Sequence, residues 1–301
     1  MEKLIPPINK KLITIELTEK NLLRYSRMGK NEIYVINYIN GPNIINEIGR
    51  LRELTFRSSG GGIGTSKDID HYDLESDGYN QLIVWEPNKK QILGGYRFRS
   101  FPNSKDKSEK YFATGVLYNL SKEFINNYLP HCIDLGRAFI LTEYQTKNSK
   151  QNIFVLDNIW DGLGALINKN VKYFIGRIII YPQIDNNLRD LIIFYMDKHF
   201  NKNNGLLNAK KPFEPNMDID FIKKILTSSK HHEDFILLKE YAQSINEVIP
   251  PLINAYIKLS PSLQSFGSII DPSFGNLYEI CIMIKVKDIY PKYLTRYKVS
   301  I

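Results

Sequence analysis

Six charged side chains stand directly beside apolar residues in the sequence. In chain order they are Arg52, Asp70, Asp73, Arg97, Asp134 and Arg137. A buried ion is costly unless a group of opposite charge lies beside it, so these three arginines and three carboxylates are predicted to pair. They form either a purely structural network or a polar pocket for a substrate, and at this stage both interpretations stay open.

A glycine cluster at residues 60–64 is a second candidate for chemistry. A phosphate-binding loop of the GxxxxGK[ST] type would end in Lys-Ser or Lys-Thr, but here Ser66 precedes Lys67. The composition predicts a flexible loop, and a loop that closes over a substrate would have the same composition. The pair Asp68-x-Asp70 has no other nucleotide-binding motif beside it.

The remaining reactive residue types predict no metal site and no hydrolase. His231, His232, Glu233 and Asp234 are consecutive, and consecutive side chains on a helix do not face one another. No Ser or Cys stands in a GxSxG nucleophile elbow. Two cysteines far apart in the chain favour buried thiols over a zinc site or a disulfide framework.

Composition and charge narrow the class of protein further. The chain has 301 residues, 43% hydrophobic, and a formal charge of 40 − 32 = +8. No apolar run reaches the roughly 18 residues of a membrane span, and Pro6-Pro7 interrupts the N-terminal segment where a signal peptide would be apolar. The lysines form no like-charge block of the nucleic-acid-binding kind. We expect a cytoplasmic protein with an acidic partner or a contact with an anionic membrane surface, and no nucleic acid.

Hydrophobic periodicity predicts the elements that position the charged residues. Alternation predicts strands at 11–18 and 32–39, and helical spacing predicts an amphipathic helix at 43–57. The later elements are a hairpin at 81–101, a strand at 131–141, a helix at 151–168, a strand at 171–182, a helix at 187–200, helices at 218–228, 233–246 and 249–259, and strands at 262–270 and 277–286.

The order of these elements predicts the fold class. A hairpin is antiparallel, whereas strand, helix, strand in the middle of the chain requires a parallel pair. The sequence therefore predicts an α/β fold with a mixed sheet. We expect a single domain over 1–301, with a helical elaboration at about 202–260 and closing strands at about 262–288.

Several segments together resemble a known family. The segments RLRELTF (50–56), the D-x-x-D of Asp70 and Asp73, GGYRF (94–98) and DLGRAFILTEYQ (134–145) resemble the ordered motifs of the hemolysin-like GNAT acyltransferases. That bacterial family includes the N-acyltransferases of ornithine-lipid and glycine-lipid synthesis and is similar, more distantly, to acyl-homoserine-lactone synthases. Segments 173–182 and 256–289 resemble its later strands, so the resemblance covers roughly residues 30–290.

The resemblance implies a GNAT-type sheet, mostly antiparallel with a central parallel pair, flanked by helices. It implies catalytic roles for Asp134 and Arg137, and a substrate pocket organised by Arg52, Asp70, Asp73 and Arg97 with Phe56 lining the acyl channel. The family usually has Glu at the position of Asp134. It implies no metal and no permanently bound cofactor.

The acyl donor follows from a missing motif. Coenzyme-A-dependent members carry a pyrophosphate-binding signature, Q/R-x-x-G-x-G/A, which is absent from residues 141–152. This absence favours acyl carrier protein over acyl-coenzyme A as donor. The chemistry requires that an ammonium be held and deprotonated, that an oxyanion be stabilised and that a thiolate be protonated. Backbone N–H groups after Arg137 are suited to the oxyanion.

The predicted function is an N-acyltransferase that moves a long-chain (3-hydroxy)acyl group from acyl carrier protein to the amine of an amino acid, of the glycine or ornithine type, in aminolipid synthesis. Peripheral contact with the anionic inner membrane surface is expected. One alternative is a synthase of an acyl-homoserine-lactone-like signal. The other is a catalytically silent module that binds an acyl carrier or a membrane.

Overall fold

A computed structural model describes residues 1–101, 111–145, 150–202 and 204–297 of the chain. Within these ranges ten strands run in chain order as β1 Leu22–Tyr25, β2 Glu32–Ile36, β3 Asn80–Glu86, β4 Gln91–Ser100, β5 Tyr118–Leu120, β6 Cys132–Ile140, β7 Tyr173–Ile180, β8 Leu207–Ala209, β9 Gln264–Asp271 and β10 Leu277–Lys285. Eight of them form one sheet in the order β1-β2-β3-β4-β6-β7-β10-β9, and β5 pairs with β8.

The helices cover this sheet on both sides. They are α1 Lys10–Glu16, α2 Pro42–Ser58, α3 His71–Leu74, α4 Lys150–Ala165, α5 Asn186–Phe200, α6 Ile219–Ile225, α7 His231–Ser244, α8 Pro251–Leu259 and α9 Pro291–Arg296. In the described ranges no helix combines the length and the apolar composition that crossing a membrane requires.

The first predicted element is wrong in type. Residues 11–18 were expected to form a strand, but Lys10–Glu16 is a helix whose N-terminus is capped by the Asn9 side chain, which accepts a hydrogen bond from the Lys11 N–H at 2.9 Å. Only Ile13 of this helix is buried. Alternation over so few residues cannot outweigh a good N-cap together with one anchoring apolar contact.

The sheet is antiparallel except at its centre, which confirms the predicted fold class. β6 and β7 run parallel and pair from Cys132↔Tyr173 to Leu135↔Gly176. Beyond Leu135 and Gly176 the two strands continue to Ile140 and Ile180 without pairing to each other. They therefore diverge, and the opening between them is called the splay below.

Strand alternation divides the side chains between two faces. Leu82 packs toward Gly162 of α4, whereas its neighbour Gln81 bonds Arg52 of α2. Directly paired residues on neighbouring strands point to the same face of the sheet. Gln81 pairs with Arg97 and Arg97 pairs with Gly136, so all three lie on the face that α2 covers. By the same register, this face carries the buried polar residues Gln81, Arg97, Arg99, Asp134, Asp271 and Glu279, together with the half-buried Arg177.

The opposite face carries a separate apolar core. Helices α5, α7 and α8 bury Leu191, Leu238 and Ile253 against Ile178 and Ile282 of the sheet. The three helices α6 to α8 lie where the sequence predicts helices, within the expected elaboration at about 202–260. Strand β8 lies between the helices predicted at 187–200 and 218–228, where no strand was predicted, and its Leu207 is buried.

Candidate active site

A bulge in β6 lies at the mouth of the splay. Phe139 pairs with Gly95 and Gly136 with Arg97, so β6 has two residues between these positions where β4 has one. A bulge leaves its extra residue outside the ladder and re-aims the side chain there. Arg137 occupies it with φ 50°, a left-handed conformation that is uncommon for a residue other than glycine and is often found at functional sites.

The Arg137 side chain is held on two sides and open at its end. Nε lies 3.0 Å from Oδ2 of Asp68, and the guanidinium stacks 3.8 Å from the centroid of the Phe274 ring. Neither terminal nitrogen donates a hydrogen bond to a described residue. Burial raises the pKa of Asp68, and the charge of Arg137 opposes that rise. The guanidinium therefore presents a free, planar pair of donors beside the splay.

Phe56 packs against Phe274, the ring on which Arg137 stacks. Its ring is fully buried and lies 4.9 Å, edge-on, from the Phe274 ring. Both rings therefore fix the plane against which Arg137 stacks. Its implied role in lining an acyl channel stays a prediction.

Four of the predicted site residues form one network under α2. Nη1 of Arg52 lies 3.1 Å from Oδ2 of Asp73, and Nη1 of Arg97 lies 2.7 Å from Asp70 and 3.3 Å from Asp73. Gln81 completes it by donating to Asp73 at 2.8 Å. Burial would raise the pKa of Asp73, but the two arginines outweigh it and lower that pKa to about 2. This network is neutral and nearly dry, as a structural network would be.

Asp134 lies apart from that network and has neutral partners. Its Oδ2 accepts from the Tyr79 hydroxyl at 2.6 Å, and its Oδ1 accepts from the Thr114 hydroxyl at 3.0 Å. The side chain is buried, and burial raises its pKa. Tyr79 links the two groups, since its ring lies against the Arg97 guanidinium. The catalytic role implied for Asp134 stays a prediction, and neither of its oxygens is open to a substrate.

A third charged cluster, absent from the predicted residues, lies on the β7 side of the splay. Nη1 of Arg177 is 2.6 Å from Glu279 and 3.4 Å from Asp271, and both carboxylates are buried. The sequence held a signal for it, because Arg177 interrupts the apolar run of a predicted strand as Arg97 does. Asp271 and Glu279 follow Arg177 by about a hundred residues in the sequence, so sequence spacing did not predict that they pair with it.

The glycine loop at residues 60–64 is held in place by hydrogen bonds to Glu53 of α2. Glu53, which is fully buried, accepts from the N–H groups of Ile63 at 3.0 Å and Gly64 at 2.8 Å, and it pairs with Arg57 at 2.7 Å. Gly62 has φ +94° and leaves no room for a side chain, because a Cβ there would meet Glu53 at 3.0 Å. The loop expected to be flexible therefore has a carboxylate anchor.

The other sequence candidates do not join the site. Asp234 at the start of α7 lies 2.8 Å from both Lys198 and His199 of α5 and ties the two helices together. Among the described residues no group of three acidic, histidine or cysteine side chains is arranged to hold a metal ion. Cys132 and Cys281 are buried free thiols. A cavity of about 380 Å³ lies elsewhere, between α5 and β9.

Known proteins similar to this chain identify its family. A family profile described as "Acetyltransferase (GNAT) domain" matches residues 51–154. A protein of Phocaeicola vulgatus named glycine N(alpha)-acyltransferase is 41% identical over 96% of this chain and 90% of its own. One of the same name from Bacteroides thetaiotaomicron is 40% identical over 96% of this chain and 87% of its own.

Among solved structures, a coenzyme-A-dependent acyl-homoserine-lactone synthase aligns over 89% of this chain and 87% of its own, with a TM-score of 0.41 and 11% identity. A likeness of this degree says nothing about activity. The full-length identity to the two curated proteins does, and it agrees with the motif order and the splayed sheet: the chain belongs to this family of GNAT N-acyltransferases and is an acyltransferase.

Proposed function

We propose that the protein transfers a long-chain (3-hydroxy)acyl group from acyl carrier protein to the amine of glycine, as a step of aminolipid synthesis. The observation that carries the acceptor is the full-length similarity to two proteins named glycine N(alpha)-acyltransferase, at 41% and 40% identity. The site supports it, because an amino acid needs a partner for its carboxylate as well as for its amine.

Arg137 is suited to the acceptor carboxylate. Its Nε is engaged by Asp68 and its face by Phe274, which leaves the two terminal nitrogens as a rigid fork. A guanidinium fork matches a carboxylate with two parallel hydrogen bonds. A carboxylate bound there puts the α-nitrogen of glycine beside the splay, where a thioester carbonyl is to be attacked.

The β6 bulge supports the acyl-transfer step itself. The tetrahedral intermediate carries a negative oxygen, and preorganised N–H donors beside that oxygen lower the barrier. Residues Gly136, Arg137 and Ala138 are partly exposed and lie at the mouth of the splay, beyond the last β6–β7 pair. We assign the oxyanion contact to this stretch.

The donor assignment to acyl carrier protein, in preference to coenzyme A, comes from the sequence. The pyrophosphate-binding signature is absent from residues 141–152, of which 146–149 lie outside the described residues. The formal charge of +8 suits an acidic carrier protein and also an anionic membrane surface, at which the long-chain product would be released.

The test is a defined transfer assay with mass spectrometry of the product. Purified protein is given 3-hydroxypalmitoyl carrier protein or the matching acyl-coenzyme A, with glycine, ornithine or S-adenosylmethionine as acceptor. We expect N-acylglycine, formed faster from the carrier protein. Acylation of ornithine but not glycine, an acyl-homoserine lactone, or no transfer at all would contradict the proposal.

A substitution of Arg137 tests the acceptor anchor. In Arg137→Lys an ammonium replaces the fork, so we expect the KM for glycine to rise tenfold or more while kcat changes less. Arg50→Lys is the matched control, because Arg50 pairs with Glu47 on α2 away from the splay. An unchanged glycine KM in Arg137→Lys would remove the carboxylate from this position.

A further inference from the structure

Glu279 faces the splay from the side opposite Arg137 and was not among the site residues predicted from the sequence. We infer that Glu279, held by Arg177, is the general base that takes a proton from the ammonium of the acceptor. The inference rests on the proposed function, since it concerns the same acceptor. It gives the proton-removing role to a residue other than Asp134.

The position of Glu279 follows from the register of three strands. Gly176 is the last β7 residue that pairs with β6, so Arg177 is the first residue beyond the point of divergence. Arg177 pairs with Cys281 of β10, and Glu279 pairs with Ile179, two residues further into the open part of β7. Glu279 therefore stands at the level where the strands are apart, on the same face as Arg177.

The cluster is joined structurally to the Arg137 side of the splay. Asp271, which contacts Arg177, begins the turn that presents Phe274 to the Arg137 guanidinium. Arg137 is also close enough to Glu279 to lower its pKa. A positive fork and a carboxylate thus face the same opening, which matches the two charged ends of an amino-acid zwitterion.

The charges around the site do not balance in this cluster. Arg52 and Arg97 balance Asp70 and Asp73, and Arg137 balances Asp68. In the third cluster one cation, Arg177, meets two buried carboxylates, Asp271 and Glu279. The surplus negative charge is costly in the apoprotein, and an incoming ammonium would neutralise it.

Glu279 also has an oxygen free to receive the proton. Its Oε2 accepts from Arg177 at 2.6 Å, and its Oε1 accepts no hydrogen bond from any described residue. Asp134 is buried too, but hydroxyl donors occupy both of its oxygens. Of these two buried carboxylates, only Glu279 has an oxygen on which no described residue donates a hydrogen bond.

The electrostatic surroundings of Glu279 favour the same role. Burial raises its pKa, Arg177 opposes that rise, and the like charge of Asp271 adds to it. A base whose pKa lies nearer neutrality accepts and releases a proton more readily at pH 7. The titratable or charged groups that face Glu279 are Arg177, Tyr181, Asp271, Arg137, Tyr118 and Cys281.

The proton transfer fits a balanced reaction. The acceptor ammonium gives one proton to Glu279, and the nitrogen lone pair so freed attacks the thioester carbon, forming a C–N bond. The C–S bond then breaks, the second proton of the nitrogen goes to the departing thiolate, and the amide forms. Glu279 finally releases its proton to water, and no oxidant or reductant is needed.

The test compares Glu279→Gln with wild type across pH. Gln preserves the hydrogen bond to Arg177 but cannot take a proton. At pH 7 we expect kcat/KM for glycine to fall about 10²-fold or more. Between pH 7 and pH 9 it should rise about tenfold per pH unit in the variant, because only free amine then reacts, while wild type stays nearly flat.

A second pair of acceptors isolates the proton. Aminooxyacetate and β-alanine have the same length and the same carboxylate, but at pH 7 the nitrogen of aminooxyacetate is already neutral. The variant should lose activity with β-alanine and retain it, within about fivefold, with aminooxyacetate. Equal losses with both acceptors, or a near-wild-type rate and pH profile with glycine, would overturn the inference.

Two controls keep the outcome clear. Glu47→Gln makes the same change at another buried, arginine-paired glutamate, remote from the splay, and should leave activity unchanged. If Glu279→Gln does not fold, Glu279→Asp carries the test, with a tenfold or larger loss for glycine expected and an unchanged rate contradicting the inference. If wild type itself acylates no glycine, the proposed function fails instead.

Discussion

Three buried carboxylates on the α2 face show how surroundings decide what one functional group does. Two arginines lower the pKa of Asp73 to about 2 and keep it charged. Asp134 has two hydroxyl donors and a pKa raised by burial. Glu279 shares Arg177 with Asp271 and has one oxygen free. We infer from these differences that Asp73 has a structural role, that Asp134 positions its neighbours and that Glu279 accepts a proton.

Asp134→Asn separates the sequence-based assignment from the structural one. Asn still accepts from Tyr79, so we expect a lower melting temperature from the lost charge-assisted bonds and less than a tenfold fall in kcat. Glu279→Gln measured beside it should lose more. A loss of about 10²-fold in Asp134→Asn with an unchanged melting temperature would return the base to Asp134.

The Asp73 network should make stability depend on acid. The pKa of Asp73 is about 2 when folded and about 3.9 when unfolded, so its contribution to the free energy of unfolding is complete above about pH 4. It is lost as pH falls toward 2, by about 2 kcal/mol. Urea titrations at pH 7 and pH 2.5 should find this loss in wild type and a smaller one in Asp73→Asn. An equal loss in both proteins would assign it elsewhere.

The clustering of the predicted charged residues was accessible from the sequence only in part. Arg52, Asp70, Asp73 and Arg97 each stand beside apolar residues in the sequence, and the rule that buried ions pair predicts that they lie together, as they do in the structure. The partners of Arg177 could not be found this way, because they depend on β-strand register over about a hundred residues.

At the scale of elements, periodicity predicted long helices and strands well. Helix α2 was expected at 43–57 and spans Pro42–Ser58, and the hairpin β3–β4 and the parallel pair β6–β7 are confirmed. The short helix α1 and the bulge at Arg137 were missed. A left-handed arginine has no compositional signature, since tertiary contacts with Asp68 and Phe274 hold it there.

The glycine loop gives a prediction at this scale. In Glu53→Gln the carboxylate that accepts from Ile63 and Gly64 loses its charge and its pair with Arg57. The variant should be destabilised by about 1–3 kcal/mol, because buried donors then lack a partner. Hydrogen exchange should accelerate at residues 60–66 more than in the Glu47→Gln control. Unchanged exchange there would mean that other contacts hold the loop.

In the whole molecule, the two faces of the sheet differ in the polarity of their buried side chains. The α2 face carries the buried charges of the strands and the splay, whereas the strand residues of the opposite face contribute to an apolar core with α5, α7 and α8. The diverging strands β6 and β7 are the one place in the described sheet where neighbouring strands part, and we propose that the thioester arm reaches the charged face there. In the proposed reaction, donor and acceptor meet at Arg137 and Glu279.

The charge of the whole chain bears on the encounter with the donor. If the donor is an acidic carrier protein, as proposed, a surplus of eight positive charges attracts it over distances that a single contact does not reach. Such steering acts on the association rate and is screened by salt, with a Debye length of about 10 Å at 0.1 M and about 3 Å at 1 M.

We therefore expect kcat/KM for acyl carrier protein to fall at least tenfold between 20 mM and 500 mM NaCl, while kcat changes little, because chemistry inside the splay is shielded from bulk ions. A short acyl-pantetheine donor, which carries no net charge, is the matched control and should be nearly insensitive to salt. Stopped-flow measurement of the association step would check the origin of the effect. A donor preference for acyl-coenzyme A together with salt-independent use of the carrier protein would contradict the docking argument.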